Sequence, residues 1–403
     1  MTALPMANMA EATRLTRLGR LTEAMALLKG APATVTSTGA PSAPTEAPNL
    51  EILDLQPPSA QGGAWTAPQA GRSEKASPEE SWPQRTDSKS ARKRAPLFGL
   101  KGPVGAKSRP SAPPIPAGAR FDEATFTCAA GSRAYKLYVP SGYDGQAVPL
   151  VVMLHGCTQS PDDFAAGTQM NALAEEHIFL VAYPAQPQSA NASRCWNWFN
   201  AGDQLRGKGE PSLIAGITRQ VMTQFSVDQD RVYIAGLSAG GAAAAIMGSA
   251  YPDIYAAIGV HSGLACGAAK DMPSAFAAMS QGGPAPAGRT DRPAAPTIVF
   301  HGDRDRTVNP INADHILAQS KGGARLRTIE SQGTSKGGVS YRRTVQVDGD
   351  DLPVLERWQL HGAGHAWSGG NPAGTYTDPA GPDASREMVR FFLQHRLAGP
   401  ARA

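Results

Sequence analysis

Arg231-Val-Tyr-Ile-Ala-Gly-Leu-Ser-Ala-Gly-Gly-Ala-Ala-Ala-Ala-Ile-Met247 is the stretch that decides the fold. After Arg231, Val-Tyr-Ile-Ala are β-branched, aromatic or small, and the run reads as a buried strand. The last seven residues read as a tightly packed helix. Between them lies Gly236-Leu-Ser238-Ala-Gly240, the G-x-S-x-G pattern of a nucleophile elbow. The glycines let strand and helix approach closely. The turn strains its serine and exposes the hydroxyl above a sheet, at the positive end of the helix dipole. An acyl-transfer nucleophile needs that placement.

Outward from the elbow the chain divides by composition. Of 34 prolines, 16 fall in residues 1–120, which concentrates the chain breakers upstream of the elbow. Residues 1–30 contain an amphipathic segment with Leu15, Leu18, Leu21, Met25, Leu27 and Leu28 near helical spacing. Residues 31–118, rich in Pro, Ala and Ser, read as a disordered linker. Residues 119–400 read as the catalytic domain. A formal net charge of +4 is too small to make nucleic-acid binding the main business. No run of about 18 apolar residues marks a membrane span. The four cysteines have neither CxxC nor zinc spacing, and no metal or organic cofactor is expected.

Within 119–400, strands and helices alternate. The pattern predicts a hairpin from Ala124–Cys128 and Arg133–Val139 around Ala130-Gly131-Ser132, and a central strand at Pro149–Leu154. It predicts one helix over Asp162–Glu176, a strand at Ile178–Tyr183 and a helix over Ser212–Phe225. Short buried strands follow at Ala256–His261, Thr297–His301 and Val354–Leu360, with a closing helix over Ser385–Arg396. This is an α/β class with a mainly parallel, doubly wound sheet.

A serine hydroxyl needs a base, an orienting carboxylate and oxyanion donors. In folds with this elbow the acid and then the base follow the serine in chain order. His301-Gly-Asp-Arg-Asp305 follows a predicted strand and supplies the acid. Asp305 is favoured over Asp303 because Val308 three residues on can pack into the core. His361-Gly-Ala-Gly-His365 follows another strand; its glycines let the loop carry His365 over the sheet, whereas His361 ends the strand and is aimed less freely. His155 and His301 precede glycines at strand ends and should hydrogen-bond locally. The oxyanion donors expected are the N–H of Ala239, next to the nucleophile, and the N–H of Cys157, after the first apolar strand.

Taken together, LHGCTQSPDDFAAGTQMNALAEEHIFLVAYPAQ, SRCWNWFN, GEPSLIAGIT, IAGLSAGGAAA, HGDRDRTV and GAGHAWSGG resemble the polyhydroxybutyrate depolymerase family of esterases over about residues 120–395. The resemblance implies an α/β-hydrolase fold and hydrolysis of 3-hydroxyalkanoate polyesters or related short esters. It carries Ser238, Asp305 and His365 over as the triad and Cys157 and Ala239 as the oxyanion hole. Relatives of the same fold include feruloyl and acetylxylan esterases, so a carbohydrate-ester esterase is the alternative enzyme. A non-catalytic granule-binding protein is the alternative of another class.

Three tryptophans are then expected at the substrate: Trp196 and Trp198, which alternate and could face one side of an extended segment, and Trp367, two residues after His365. Each of the first two competes with ordinary core packing. Cys157 and Cys195 sit in motif loops near the site, as a disulfide or as two buried thiols. Met1–Ala10 lacks the basic-then-apolar pattern of a secretory signal, which favours a cytoplasmic location, although members of the family are commonly secreted. The N-terminal region is the part expected to touch a polymer granule.

Overall fold

The computed structural model describes residues 114–284 and 295–397. The expected amphipathic helix within 1–30 and nearly all of the expected linker lie outside the described residues. What is described is built on one ten-stranded sheet, ordered β1-β2-β4-β3-β5-β6-β7-β10-β9-β8. The strands are β1 (Arg120–Cys128), β2 (Gly131–Val139), β3 (Val148–Leu154), β4 (Leu180–Pro184), β5 (Val227–Leu237), β6 (Ala257–His261), β7 (Thr297–Gly302), β8 (Arg327–Thr334), β9 (Ser340–Val347) and β10 (Pro353–Leu360). A small pair, β11 (Trp367–Ser368) and β12 (Thr377–Asp378), lies apart. The central six strands, β4 to β10 in sheet order, are parallel. Antiparallel pairs β1–β2 and β8–β9 close the two edges.

Every residue of β3, β6 and β7 is buried, as strands covered on both faces must be. Successive side chains of β3 go to opposite layers. Leu150, Val152 and Leu154 join the core beneath α3 (Gly209–Gln224), α4 (Ala239–Ala250), α5 (Met272–Gln281) and α6 (Ile311–Lys321). Val151 and Met153 join a second core beneath α1 (Pro161–Thr168), α2 (Met170–His177) and α7 (Ala384–Phe392). The fold is the α/β-hydrolase arrangement expected of the elbow.

Several boundaries differ from the sequence reading. The helix expected over Asp162–Glu176 is two helices, because Gln169 adopts a left-handed conformation (φ 56°) that caps one and starts the next. The first hairpin turns at Ala129-Ala130, since Cys128 pairs with Gly131. β8 and β9 were not read at all. β8, RTIESQGT, is largely exposed, so burial imposes no alternation for a pattern to reveal.

The elbow sits where α4 meets the ends of β3 and β5. A Cβ built on Gly240 would lie 2.0 Å from Leu154 O and 2.6 Å from His155 O; one on Gly236 would lie 2.3 Å from the Gly240 carbonyl. Both contacts are backbone, which cannot swing aside. Gly240→Ala is therefore expected to destabilise the domain by about 1–3 kcal/mol or more. Urea denaturation monitored by tryptophan fluorescence checks it; an unchanged midpoint would refute the packing argument.

Candidate functional site

The connections leaving the carboxyl ends of β3, β5, β7 and β10 bring Cys157, Ser238, Asp305 and His365 to one edge of the sheet, where doubly wound folds place their sites. Ser238 is half-buried with φ 57° and ψ −118°, a conformation costly for a residue with a Cβ. Two backbone bonds hold it there: its N–H donates to His261 O (2.9 Å) at the end of β6, and its carbonyl accepts from Ala242 N–H (2.9 Å) in α4.

Asp305 is fully enclosed. Oδ1 accepts from the N–H groups of Thr307 and Val308, both at 2.9 Å. Oδ2 lies 2.7 Å from His365 Nδ1 and 3.5 Å from His301 Nε2. Val308 is buried, as its spacing implied. Burial alone would push the Asp305 carboxyl up, but hydrogen bonds and charge from His301 and His365 outweigh it and hold it far below the usual carboxylate range. The ionised carboxylate can only accept, so His365 Nδ1–H donates to it. Ser238 Oγ makes no hydrogen bond among the described residues, whereas the Asp305–His365 contact is closed.

A second pair lies beside the first. His361 Nδ1 is 2.9 Å from Asp303 Oδ2, and Asp303 Oδ1 accepts from Gly362 N–H at 2.7 Å. Burial separates the pairs: the side chains of His365 and Asp305 are 9% and 0% exposed, those of His361 and Asp303 41% and 31%. With Arg304 N–H bonded to Ala363 O (3.1 Å), Asp303 staples the loop of the acid to the loop of the base. His261 and His301 entered the sequence reading only as strand-end residues. His261 also braces Ser238, and its buried ring, stacked against Phe300 and Trp367, accepts from Ser368 N–H. Burial first, then the neighbouring His301 and His365, lower its pKa to about 3, so it stays neutral. The strand-ending His-Ser-Gly at 261–263 is the signal that could have marked it.

Of the two N–H groups expected as oxyanion donors, that of Ala239 is the first of α4 and unsatisfied within the helix. Cys157 N–H lies between Gly156 N–H, taken by Gln159 Oε1 (2.8 Å), and Thr158 N–H, taken by Ser193 O (2.7 Å). It has no protein acceptor among the described residues. Cys157 is disulfide-bonded to Cys195, which ties its loop to the segment carrying Trp196 and Trp198.

The expectation of an open indole wall is corrected. Trp196 and Trp367 are fully buried and Trp198 nearly so. The disulfide at Cys195 and the Glu210 carboxylate on Asn197 N–H (2.7 Å) pull the segment inward. Trp196 Nε1–H donates to His155 O, and Trp367 Nε1–H to Ser385 Oγ. Each indole so buries its ring with its polar atom satisfied. The exposed apolar residues near this edge are instead Leu205, Met272, Phe276 and Ile311, from the connections that follow β4, β6 and β7. Gln204 bonds Ala269 O and Gly267 N–H, and Asn309 bonds Met279 O and Ser280 O, so these connections pack together.

Removing the disulfide is expected to cost about 2–4 kcal/mol and to loosen the Cys157 loop. Cys157→Ala/Cys195→Ala should lower both the denaturation midpoint and kcat. Retention of both at the native level would show that the bond constrains nothing.

Residues 133–346 match the family described as Esterase PHB depolymerase, a stretch that contains Cys157, Ser238 and Asp305 and stops before His365. The chain is 34% identical over 254 residues to poly(3-hydroxyalkanoate) depolymerase C of Paucimonas lemoignei, covering 59% of this chain and 60% of that protein. It is 32% identical over 201 residues to feruloyl esterase B of Thermothelomyces thermophilus, covering 45% of this chain and 67% of that one. Among solved structures, an acetyl xylan esterase from Aspergillus awamori aligns with a TM-score of 0.52 at 20% identity over 68% of this chain and 99% of that one, a likeness of fold. No helix among the described residues is long and apolar enough to cross a membrane. The motif resemblance read from the sequence is borne out: the match extends over more than half of the chain, which belongs to the PHB depolymerase family of α/β-hydrolase esterases.

Proposed function

We propose that this chain is a serine esterase acting on poly(3-hydroxyalkanoate) or its oligomers. The observation that carries the reading is the buried Asp305–His365 pair, 2.7 Å apart, on the same sheet edge as the strained elbow serine. Ser238 Oγ attacks the ester carbonyl while His365 Nε2 takes its proton. Asp305 keeps the imidazole in the Nδ1–H tautomer and stabilises the imidazolium. The tetrahedral oxyanion accepts from the N–H groups of Cys157 and Ala239. His365 returns the proton to the leaving alkoxide, and water repeats the sequence to release the hydroxy acid. Ser238→Ala should lower hydrolysis of a short p-nitrophenyl ester by several orders of magnitude. Full activity in that variant would overturn Ser238 as the nucleophile; inertness of the native protein to both the ester and a fluorophosphonate would favour the granule-binding alternative.

The polyester reading draws support from the relative in Paucimonas lemoignei and from the exposed Leu205, Met272, Phe276 and Ile311. Exposed apolar side chains on the connections at this sheet edge suit a water-insoluble chain better than a hydroxyl-rich one. Phe276, the most exposed of the four at 64%, is the residue to remove. Phe276→Ser should slow clearing of an amorphous polyhydroxybutyrate suspension while leaving turnover of a soluble ester unchanged. Equal effects on both would detach Phe276 from polymer binding. Release of ferulate or acetate from decorated xylan without polymer clearing would favour the carbohydrate-ester reading. The disulfide accords with an oxidising compartment, against the cytoplasmic location expected from the N-terminal sequence.

A further inference from the structure

His155 ends the run from β3 into the Cys157 loop and is 1% exposed. Both ring nitrogens have partners whose roles are fixed by chemistry. Nδ1 is 2.8 Å from Gly156 O, which can only accept, so Nδ1 carries the proton. Nε2 is 3.1 Å from Gln186 N–H, which can only donate, so Nε2 is bare. Those two contacts define the neutral Nδ1–H tautomer. Burial pushes the ring down to about 4, more than the bond to Gly156 raises it, so the tautomer persists at neutral pH. The carbonyl that receives this proton belongs to the Gly156–Cys157 peptide, and the N–H of that same peptide is the Cys157 donor. Gln159 N–H also reaches Gly156 O at 3.3 Å.

We propose that His155 is a positioning residue for the oxyanion hole: by donating Nδ1–H to Gly156 O it fixes the plane of the Gly156–Cys157 peptide and polarises the Cys157 N–H toward the site. The proposal rests on the reading of Cys157 as an oxyanion donor. A hydrogen bond accepted at the carbonyl of an amide strengthens donation from its N–H, by about 10–30% per bond. The same bond removes the rotation that would turn the donor away. His155 also supports the elbow from its backbone, since its carbonyl lies against Gly240 and accepts the Trp196 indole N–H. The ring and the carbonyl of one residue thus serve the two halves of the hole.

The test compares the full-length protein with His155→Leu and His155→Asn on p-nitrophenyl butyrate, and with a trifluoromethyl ketone that adds to the serine and places an oxyanion in the hole. Leucine removes the donor; asparagine returns an N–H close to where Nδ1 stood. His155→Leu should lower kcat by about tenfold, less than the 10²–10³ of losing a whole oxyanion donor, with KM little changed. It should weaken the trifluoromethyl ketone by the same factor, and His155→Asn should recover most of both. Unchanged kcat in the leucine variant, or equal loss in the two variants, overturns the proposal. Should His155→Leu fail to fold, nitrogen-15 NMR of the histidines in the native protein decides. A proton on Nδ1 and a bare Nε2 at neutral pH support the proposal; the opposite tautomer overturns it. A ketone that binds tightly to the native protein but ignores His155 defeats this proposal alone. A trifluoromethyl ketone that binds no better than its methyl parent defeats the esterase reading itself.

Discussion

Helix α4 meets the end of β3 with no side chain between them, and the geometry of the site follows from that contact. Gly240 lies against the carbonyls of Leu154 and His155, and Gly236 against Gly240 itself. Because the helix is seated this closely, Ser238 must turn sharply out of β5, and it does so at positive φ. The cost of such a conformation, about 1–3 kcal/mol, is offset by bonds from both sides: His261 O on one, Ala242 N–H on the other. Other strained residues gather nearby. Thr158 adjoins Cys157, Arg194 adjoins Cys195, Ser262 adjoins His261, and Tyr376 contacts the Thr158 hydroxyl; all four have φ near +50° to +66°. The remaining non-glycine cases, Gln169, Ile178 and Asp351, are helix caps and a turn. Strain at this edge is held by a scaffold in which β3, β4, β6 and β7 are wholly buried.

The electrostatics divide the buried ionisable groups by partner. Asp305 is ionised because two backbone N–H groups and two imidazoles meet it and outweigh its burial. His155 and His261, equally buried but lacking a carboxylate in hydrogen-bond contact, are neutral and act as oriented dipoles. One sheet edge therefore holds a charged carboxylate, the His365 imidazole bonded to it, and two neutral rings that brace the backbone around them. Asp303 and His361, the more exposed pair, join the two loops on which acid and base sit.

Substrate recognition shifts with the burial of the indoles. An exposed tryptophan wall would offer rigid apolar area, but Trp196, Trp198 and Trp367 each gain more by filling the two cores. The apolar surface left at this edge is aliphatic with one phenylalanine, carried on the connections after β4, β6 and β7. These are the segments of an α/β fold freest to vary without disturbing the sheet.

Much was legible in the sequence because the topology is simple. Parallel strands send their carboxyl ends to one edge, so a serine, an aspartate and a histidine placed just after successive strands must meet there whatever lies between. The elbow, the order of its partners and the family all follow from local motifs and chain order. The sequence could not choose between Asp305 and Asp303, or His365 and His361, by physical contact. The partners lie 60 and 58 residues apart and both pairs form; only burial distinguishes them. Nor could alternation in Cys195–Phe199 say which way its indoles point, because the forces on that segment come from Cys157, Glu210 and His155, all distant in the chain. Motif and order are written in neighbouring residues. Burial, tautomer and the direction of a side chain are set by what the folded chain brings alongside.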